Sequence, residues 1–215
     1  MNQQELQNTR EDYNAATLSE ATTDADPIKQ FDLWFTEAQN AKVPERNAMT
    51  LSTASPDGRP SARIVLLKGI NENGFIFFTN YLSRKGKELT KNPVAALTFF
   101  WPAFERQICI EGTLEKVSKE ESEKYFHVRP KNSQIGAVVS PQSQEIESRE
   151  VLEKKWAALA TEYAEKEVPK PAHWGGFILR PIRIEFWQGR PSRLHDRILY
   201  KRMDNKNWKK VRLAP

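Results

Sequence analysis

Residues 48–80 read AMTLSTASPDGRPSARIVLLKGINENGFIFFTN, and this stretch decides the fold class. Three strand-like runs, Ala48–Ala54, Ala62–Lys68 and Phe75–Asn80, are separated by Pro56-Asp57-Gly58 and Asn71-Glu72-Asn73-Gly74. Those residue types supply the pre-set bends and positive φ angles of hairpin turns. Outward from this core, further strand-like runs occur at Val94–Trp101 and Gln107–Val117, and around Gly176–Leu179, Ile182–Trp187 and Arg193–Arg202. A turn at Asp204-Asn205-Lys206-Asn207 then leads to a last short strand. Helical patterns are fewer. Asp26-Pro27 offers an N-cap and a first-turn proline for a helix through about Ala41, and Ser83 opens a short one to Lys91. Ser118 with Glu121 forms a capping box for a helix to about Val128, stopped by Pro130; a longer pattern runs from about Glu147 to Glu165. Many consecutive strands with few helices predict a mainly β chain, an antiparallel barrel carrying peripheral helices. The polar, aperiodic residues 1–25 are expected to form a mobile tail or a loosely docked helix, and 26–215 a single domain.

The 215 residues include 33 Lys and Arg against 28 Asp and Glu, a formal charge of +5. The basic residues are scattered among the acids, so the surplus fits small anionic ligands better than nucleic acid. The one cysteine, Cys109, lies in an alternating run and reads as a buried small hydrophobe. No apolar run reaches the roughly 20 residues of a membrane span. The N-terminal Gln, Glu, Asn and Thr lack the basic-then-apolar order of a secretory leader, which makes the cytoplasm the expected compartment.

Several familiar sites are missing from the pattern. The nine glycines form neither a dinucleotide fingerprint nor a Walker loop. His127, His173 and His195 lie far apart with no metal spacing, so no metal is expected, and there is no nucleophile elbow. What remains is a set of basic and hydroxyl groups at strand and helix ends. Arg63 and Lys68 close the two ends of a strand, where alternation sends them to opposite faces unless a bulge intervenes; each alone reads equally as a snorkelling surface cation. Thr79, Ser83, Arg84 and Lys85 lie where a strand runs into a helix N-terminus, a place that suits phosphate as well as an ordinary cap. Tyr125 and Arg129 are four apart on one helix face with Ser133 just beyond Pro130, which suits either a ligand or core packing with a surface arginine. Finally, residues 184–197, IEFWQGRPSRLHDR, gather Glu185, Trp187, Arg193, His195 and Arg197 on a strand, a turn and a second strand. They combine an aromatic plane, guanidinium forks and a side chain that titrates near neutrality.

That last run resembles the C-terminal signature of the pyridoxamine 5'-phosphate oxidase family, flavoproteins that make pyridoxal 5'-phosphate, and the likeness extends from about Pro27 to Pro215. The resemblance implies an FMN-binding split β-barrel and a homodimer with two equivalent sites at its interface. By likeness of motif, Arg63, Ile64, Val65, Leu66, Leu67, Lys68, Phe78, Thr79, Arg84, Lys85, Gln107, Gln142, Ser143, Trp187 and Arg197 hold the flavin. Lys68, Tyr125, Arg129, Ser133, Arg193, Leu194 and His195 hold the substrate, with Arg193 and His195 as the catalytic pair. One departure is Phe78, where relatives often have tyrosine. The implied reaction is oxidation of pyridoxamine 5'-phosphate or pyridoxine 5'-phosphate by dioxygen, giving pyridoxal 5'-phosphate, hydrogen peroxide and, from the amine, ammonia. Two rival readings are another split-barrel flavoenzyme, which would lose the Tyr125, Arg129 and Ser133 set, and a non-enzymatic flavin or pyridoxal phosphate module, which would not need Arg193 and His195.

Overall fold

The structure, a computed structural model, describes residues 2–8, 12–204 and 207–215. Asn205 and Lys206 of the expected turn, and residues 1 and 9–11 of the expected tail, lie outside the described residues. The helices are α1 (Gln3–Asn8), α2 (Pro27–Asn40), α3 (Arg84–Lys91), α4 (Lys119–Val128), α5 (Lys131–Val139) and α6 (Arg149–Glu162). The strands are β1 (Ala48–Ala54), β2 (Pro60–Leu66), β3 (Gly69–Asn71), β4 (Gly74–Asn80), β5 (Val94–Trp101), β6 (Arg106–Lys116), β7 (Trp174–Gln188), β8 (Asp196–Arg202) and β9 (Trp208–Leu213). They form one sheet in the order β2-β1-β5-β6-β7-β4-β3, with β8 paired to β7 and β9 to β8. This is the expected split barrel with peripheral helices.

Contacts divide the chain into two compact units. The first comprises Met1–Thr50, Ala96–Glu111 and Pro181–Pro215. Asp26 caps α2 by accepting from the Ile28 amide at 2.8 Å, and Pro27 follows at the first helical position, where its missing N–H costs nothing. The helix buries Phe31, Trp34 and Ala38. Trp34 meets Phe186 edge-on at 5.1 Å, Phe31 meets Phe99 at 5.1 Å, and Phe186 meets Tyr200 at 5.6 Å. Segment 12–26 is fastened to β8 and β9 by polar contacts. Tyr200 donates its hydroxyl proton to the Asp24 carbonyl, Lys210 bonds the Glu20 and Thr23 carbonyls, and Arg212 pairs with Glu20 and Asp196.

The second unit comprises Leu51–Ala95 and Gly112–Arg180. Its frame is the antiparallel pair of β4 and β7, with Phe75 opposite Leu179 and Asn80 opposite Trp174. Ser83 caps α3 by accepting from Gly86 N, and Ser118 caps α4 by accepting from Glu121 N. A small core of Phe126, Ile135, Val168 and Trp174, with Trp156 and Leu159 against it, joins α4, α5 and α6. Lys131, at the start of α5, donates to the carbonyls of Tyr163 and Ala164 at the end of α6, where a cation complements the helix dipole.

Four differences from the sequence expectation have physical reasons. Helix α5 was not expected: Pro130, read only as the stop of α4, is also the N-cap residue of α5 and offers no side-chain bond to mark it. The two strands expected around 176–179 and 182–187 are one strand, β7, whose Pro181 falls between the stretch paired with β4 and the stretch paired with β8. Arg193 is not in a strand but in a single 3-10 turn, Pro191–Arg193, with φ of 56° at Ser192 and 60° at Arg193, so β8 begins at Asp196. The three-residue β3 is too short to show a period. Among the described residues, no helix is long and apolar enough to cross a membrane.

Phe186 is fully buried between Trp34 and Tyr200. Replacing it with alanine is expected to cost about 3–5 kcal/mol of unfolding free energy, measured as a fall in the denaturant midpoint with an unchanged slope.

Candidate functional site

The second unit holds a cleft of about 590 Å³, within the usual range for small-molecule sites. Ile64, Val65 and Leu66 of β2, followed by Lys68, form one wall. Consecutive strand residues cannot all present side chains to one side, so backbone contributes there. The end of β4 supplies Phe78, Thr79 and Asn80, and α3 supplies Lys85. Tyr125, Arg129, Pro130 and Ser133 also line the cleft, with Gly136, Ala137 and Ser140 along α5, and Gln142 and Trp174.

The turn from β4 into α3 is fixed locally. Asn80 accepts from Leu82 N through its side chain and from Ser83 Oγ through its carbonyl, at 2.8 and 2.6 Å. Lys85 thereby reaches Gln142, donating from Nζ to Oε1 at 2.9 Å, and Thr79 donates to the same oxygen at 3.4 Å. Burial, aided by the charge of Arg63, lowers the pKa of Lys85, the direction expected for an ammonium short of counter-charge.

Three aromatic rings among the lining residues stack together. Phe78 stacks on Tyr125 at 4.0 Å and on Trp174 at 5.4 Å. The Arg129 guanidinium lies over Trp174, 4.7 Å from its ring centroid, and donates from Nη2 to the Ser133 carbonyl at 2.7 Å. Its Nη1 is buried and has no partner among the described residues. Burial lowers the pKa of Arg129, opposed by Tyr125, but a guanidinium stays charged. Arg129, which lines the cleft, therefore carries an unsatisfied cationic donor beside the stacked rings, chemistry that suits a ring carrying phosphate.

Next to Lys85 in charge and in sequence stands a denser cluster. Arg63 donates from Nη1 to the Leu51 carbonyl and Thr53 Oγ1, and from Nη2 to Ser61 Oγ and Glu88. Thr53 and Ser61 each donate onward to Glu88 Oε2, while Arg84 Nε donates to Glu88 Oε1 at 2.9 Å. Burial works against ionisation of Glu88, yet the hydrogen bonds from Thr53, Ser61 and Arg84 and the charge of Arg63 outweigh it and hold the carboxyl down at about 2. Burial lowers the pKa of Arg63, against the pull of Glu88.

The remaining expected residues lie in the first unit. Trp187 and His195 are 4.7 Å apart, and Tyr13 meets both, at 5.7 and 5.9 Å. His195 Nδ1 accepts from the Arg190 amide at 3.1 Å, which in the neutral ring leaves the proton on Nε2. Arg197 lies opposite Trp187 in the β7–β8 register and forks onto Glu185 at 2.8 and 3.1 Å. Arg193 and Leu194 are exposed, and Gln107 donates to Cys109 Sγ at 3.4 Å. Of the expected residues in the second unit, Ile64, Val65, Leu66, Lys68, Phe78, Thr79, Lys85, Tyr125, Arg129, Ser133 and Gln142 line the cleft. Arg63 and Arg84 meet at Glu88, Leu67 is buried, and Ser143 is exposed with φ of 69°. Sequence reasoning missed Trp174, Glu88 and Tyr13. The i,i+4 spacing of Arg84 and Glu88 was the available signal for one of them; Tyr13 lies in a stretch without periodicity.

A family profile described as pyridoxamine 5'-phosphate oxidase matches residues 35–162, and one described as the pyridoxine 5'-phosphate oxidase C-terminal dimerisation region matches residues 174–215. The chain is 56% identical over 206 residues to a pyridoxine/pyridoxamine 5'-phosphate oxidase of Nostoc punctiforme, covering 96% of each chain. It is 53% identical over 212 residues to the protein of the same name from Gloeothece citriformis, covering 99% of each. Among solved structures, PhzG from Burkholderia lata in complex with tetrahydrophenazine-1-carboxylic acid aligns with a TM-score of 0.88 at 32% identity, over 94% of this chain and 99% of that one. A pyridoxamine 5'-phosphate oxidase-related, FMN-binding protein of Nostoc punctiforme aligns with a TM-score of 0.70 at 18% identity, over 88% and 98%, a likeness of fold alone.

The depressed carboxyl of Glu88 has a consequence for acid stability. A group whose folded pKa lies below its unfolded value stabilises above the unfolded pKa, and that stability is lost as pH falls through the folded one. For Glu88 the window runs from 4.5 down to about 2. Across it the wild-type chain is expected to lose on the order of 3 kcal/mol from this group, while Glu88→Gln, less stable at neutral pH, shows a flatter acid limb. Urea unfolding at a series of pH values measures the difference; parallel acid limbs would contradict it.

Proposed function

The chain belongs to the pyridoxamine 5'-phosphate oxidase family, and we propose that it oxidises pyridoxamine 5'-phosphate or pyridoxine 5'-phosphate to pyridoxal 5'-phosphate with FMN as cofactor and dioxygen as electron acceptor. The observation that carries this reading is the buried, unpartnered Arg129 Nη1, set beside the Tyr125, Phe78 and Trp174 rings in a cleft that Lys85 and Lys68 also line. A phosphorylated aromatic ring meets those demands together. The likeness to PhzG at 32% identity supports a shared fold, while 53–56% identity to pyridoxine/pyridoxamine 5'-phosphate oxidases favours their substrates.

The residues of this chain divide the work. Arg63, Arg84, Lys85, Thr79 and Gln142 would hold the flavin phosphate and its polar chain, with Ile64, Val65, Leu66, Leu67, Phe78 and Ser143 around it. The chemistry that bound FMN would supply is acceptance of a hydride equivalent and reduction of dioxygen to hydrogen peroxide. Lys68, Tyr125, Arg129 and Ser133 would bind the substrate phosphate, where cations neutralise charge and fix register. Arg193 and His195, with Leu194, would hold the pyridine ring, and His195, its Nδ1 already occupied by the Arg190 amide, would present Nε2. From the amine substrate, hydrolysis of the resulting imine releases ammonia. The C-terminal match to a dimerisation region supports a homodimer, and across its two-fold interface Gln107, Trp187, Arg193, His195 and Arg197 would meet the flavin and substrate groups.

Charge-assisted hydrogen bonds contribute roughly 1.5–3 kcal/mol each, so Arg129→Ala is expected to lower kcat/KM for pyridoxine 5'-phosphate by about 10- to 100-fold. Unphosphorylated pyridoxine never makes that contact, and its turnover should change little. The measurement is the ratio of the two kcat/KM values in wild type and variant. An unchanged ratio, with both activities falling together, would mean that Arg129 serves the fold and that the phosphate binds elsewhere.

A further inference from the structure

We propose that Glu88 is a positioning residue for the phosphate of the flavin, holding Arg63 and Arg84 in the geometry that receives it. The inference rests on the reading of these cations as the flavin phosphate site. The geometry is directional. Thr53 and Ser61 each have one hydroxyl hydrogen, and each gives it to Glu88 Oε2 while accepting from Arg63. Glu88 therefore orients both hydroxyls, and the hydroxyls orient the Arg63 fork. The four terminal N–H groups of Arg63 are committed in this way, two through the hydroxyls and two to the Leu51 carbonyl and Glu88 itself, so Arg63 offers an anion its charge and its Nε–H.

Arg84 is held differently. Among the described residues only its Nε is bound, to Glu88 Oε1, and its side chain is 65% exposed, so its two terminal nitrogens remain for an anion. The carboxylate is almost completely buried and sits one turn along α3 from Arg84. It stays ionised through the neutral range, because its carboxyl is held down at about 2. A glutamine at 88 could accept from one partner, but its amide would turn N–H groups toward a guanidinium or a hydroxyl that is itself donating. One arm of the arrangement would be released.

Two effects of removing this charge oppose each other, and their signs separate them. Coulomb attraction alone predicts that loss of a carboxylate beside Arg63 and Arg84 tightens phosphate binding. Positioning predicts that it loosens, because the guanidinium groups must be ordered anew when the anion arrives. The test is the dissociation constant of FMN and of riboflavin, which lacks the phosphate, for apoprotein prepared from the full chain, followed by quenching of flavin fluorescence. Wild type is expected to prefer FMN strongly. In Glu88→Gln the preference should fall by about 10-fold, with riboflavin binding unchanged, as no general loss of structure would produce. Glu88→Asp keeps the charge but is one methylene too short to reach both hydroxyls and Arg84, so it should also lower the preference, and it decides the matter if Glu88→Gln does not fold. An unchanged or increased preference for FMN in a folded variant overturns the role of Glu88. A wild-type protein that binds the two flavins equally overturns the phosphate reading first, and this inference with it.

Discussion

Phe78 lies opposite Gly176 and Thr79 opposite Gly175 in the antiparallel pair of β4 and β7, and that register admits no side chain at either glycine. A Cβ at Gly176 would stand 2.8 Å from the Phe78 ring, and one at Gly175 would stand 2.2 Å from the Tyr81 hydroxyl. The absent side chains let Phe78 lie flat against Trp174 and Tyr125, and let Tyr81 donate to the Gly176 carbonyl. From that step the rest of the cleft follows. Trp174 becomes the platform for Arg129, and the next residues of β4, Thr79 and Asn80, enter the turn that starts α3 and its cations.

The arrangement tolerates groups that a purely structural core would avoid. A buried donor without a partner costs on the order of 1–3 kcal/mol, and Arg129 Nη1 is such a donor. Its guanidinium is retained by the Trp174 face and the Ser133 carbonyl, interactions that hold the fork in place without exhausting it. Arg63 and Arg84 are handled in the opposite manner, with a buried carboxylate supplying the counter-charge. Removing one partner from such a buried pair is far more costly than never having built it. One region therefore keeps a cationic donor unsatisfied, and the neighbouring one keeps its cations fixed by an internal anion.

Much of the fold was legible in the sequence. Strands β1 and β5 begin and end where alternation and turn residues place them, and Asp26, Ser83 and Ser118 cap the helices they were expected to cap. Two of the misreadings have a common origin in proline, which marks a boundary without saying of what kind. Pro130 ends one helix and begins another, whereas Pro181 interrupts nothing. Period-two reading also ran past the Ser192 and Arg193 turn, whose positive φ angles leave no trace in those residue types. In the cleft, Lys68, Lys85, Tyr125, Arg129 and Ser133 were identifiable as polar groups at element ends. Trp174 was hidden at the mouth of an apolar strand. Glu88 was hidden because its importance comes from Thr53 and Ser61, distant in sequence and brought to it only by the sheet.

The central claim, that this chain binds FMN and reduces it with a phosphorylated B6 substrate, is tested most directly by the visible spectrum of the purified protein before and after anaerobic addition of pyridoxamine 5'-phosphate. A yellow protein is expected, whose flavin absorption bleaches on addition of the substrate and returns when air is admitted. A colourless protein that takes up no FMN on reconstitution, or a flavin spectrum that the substrate leaves unchanged, would contradict it.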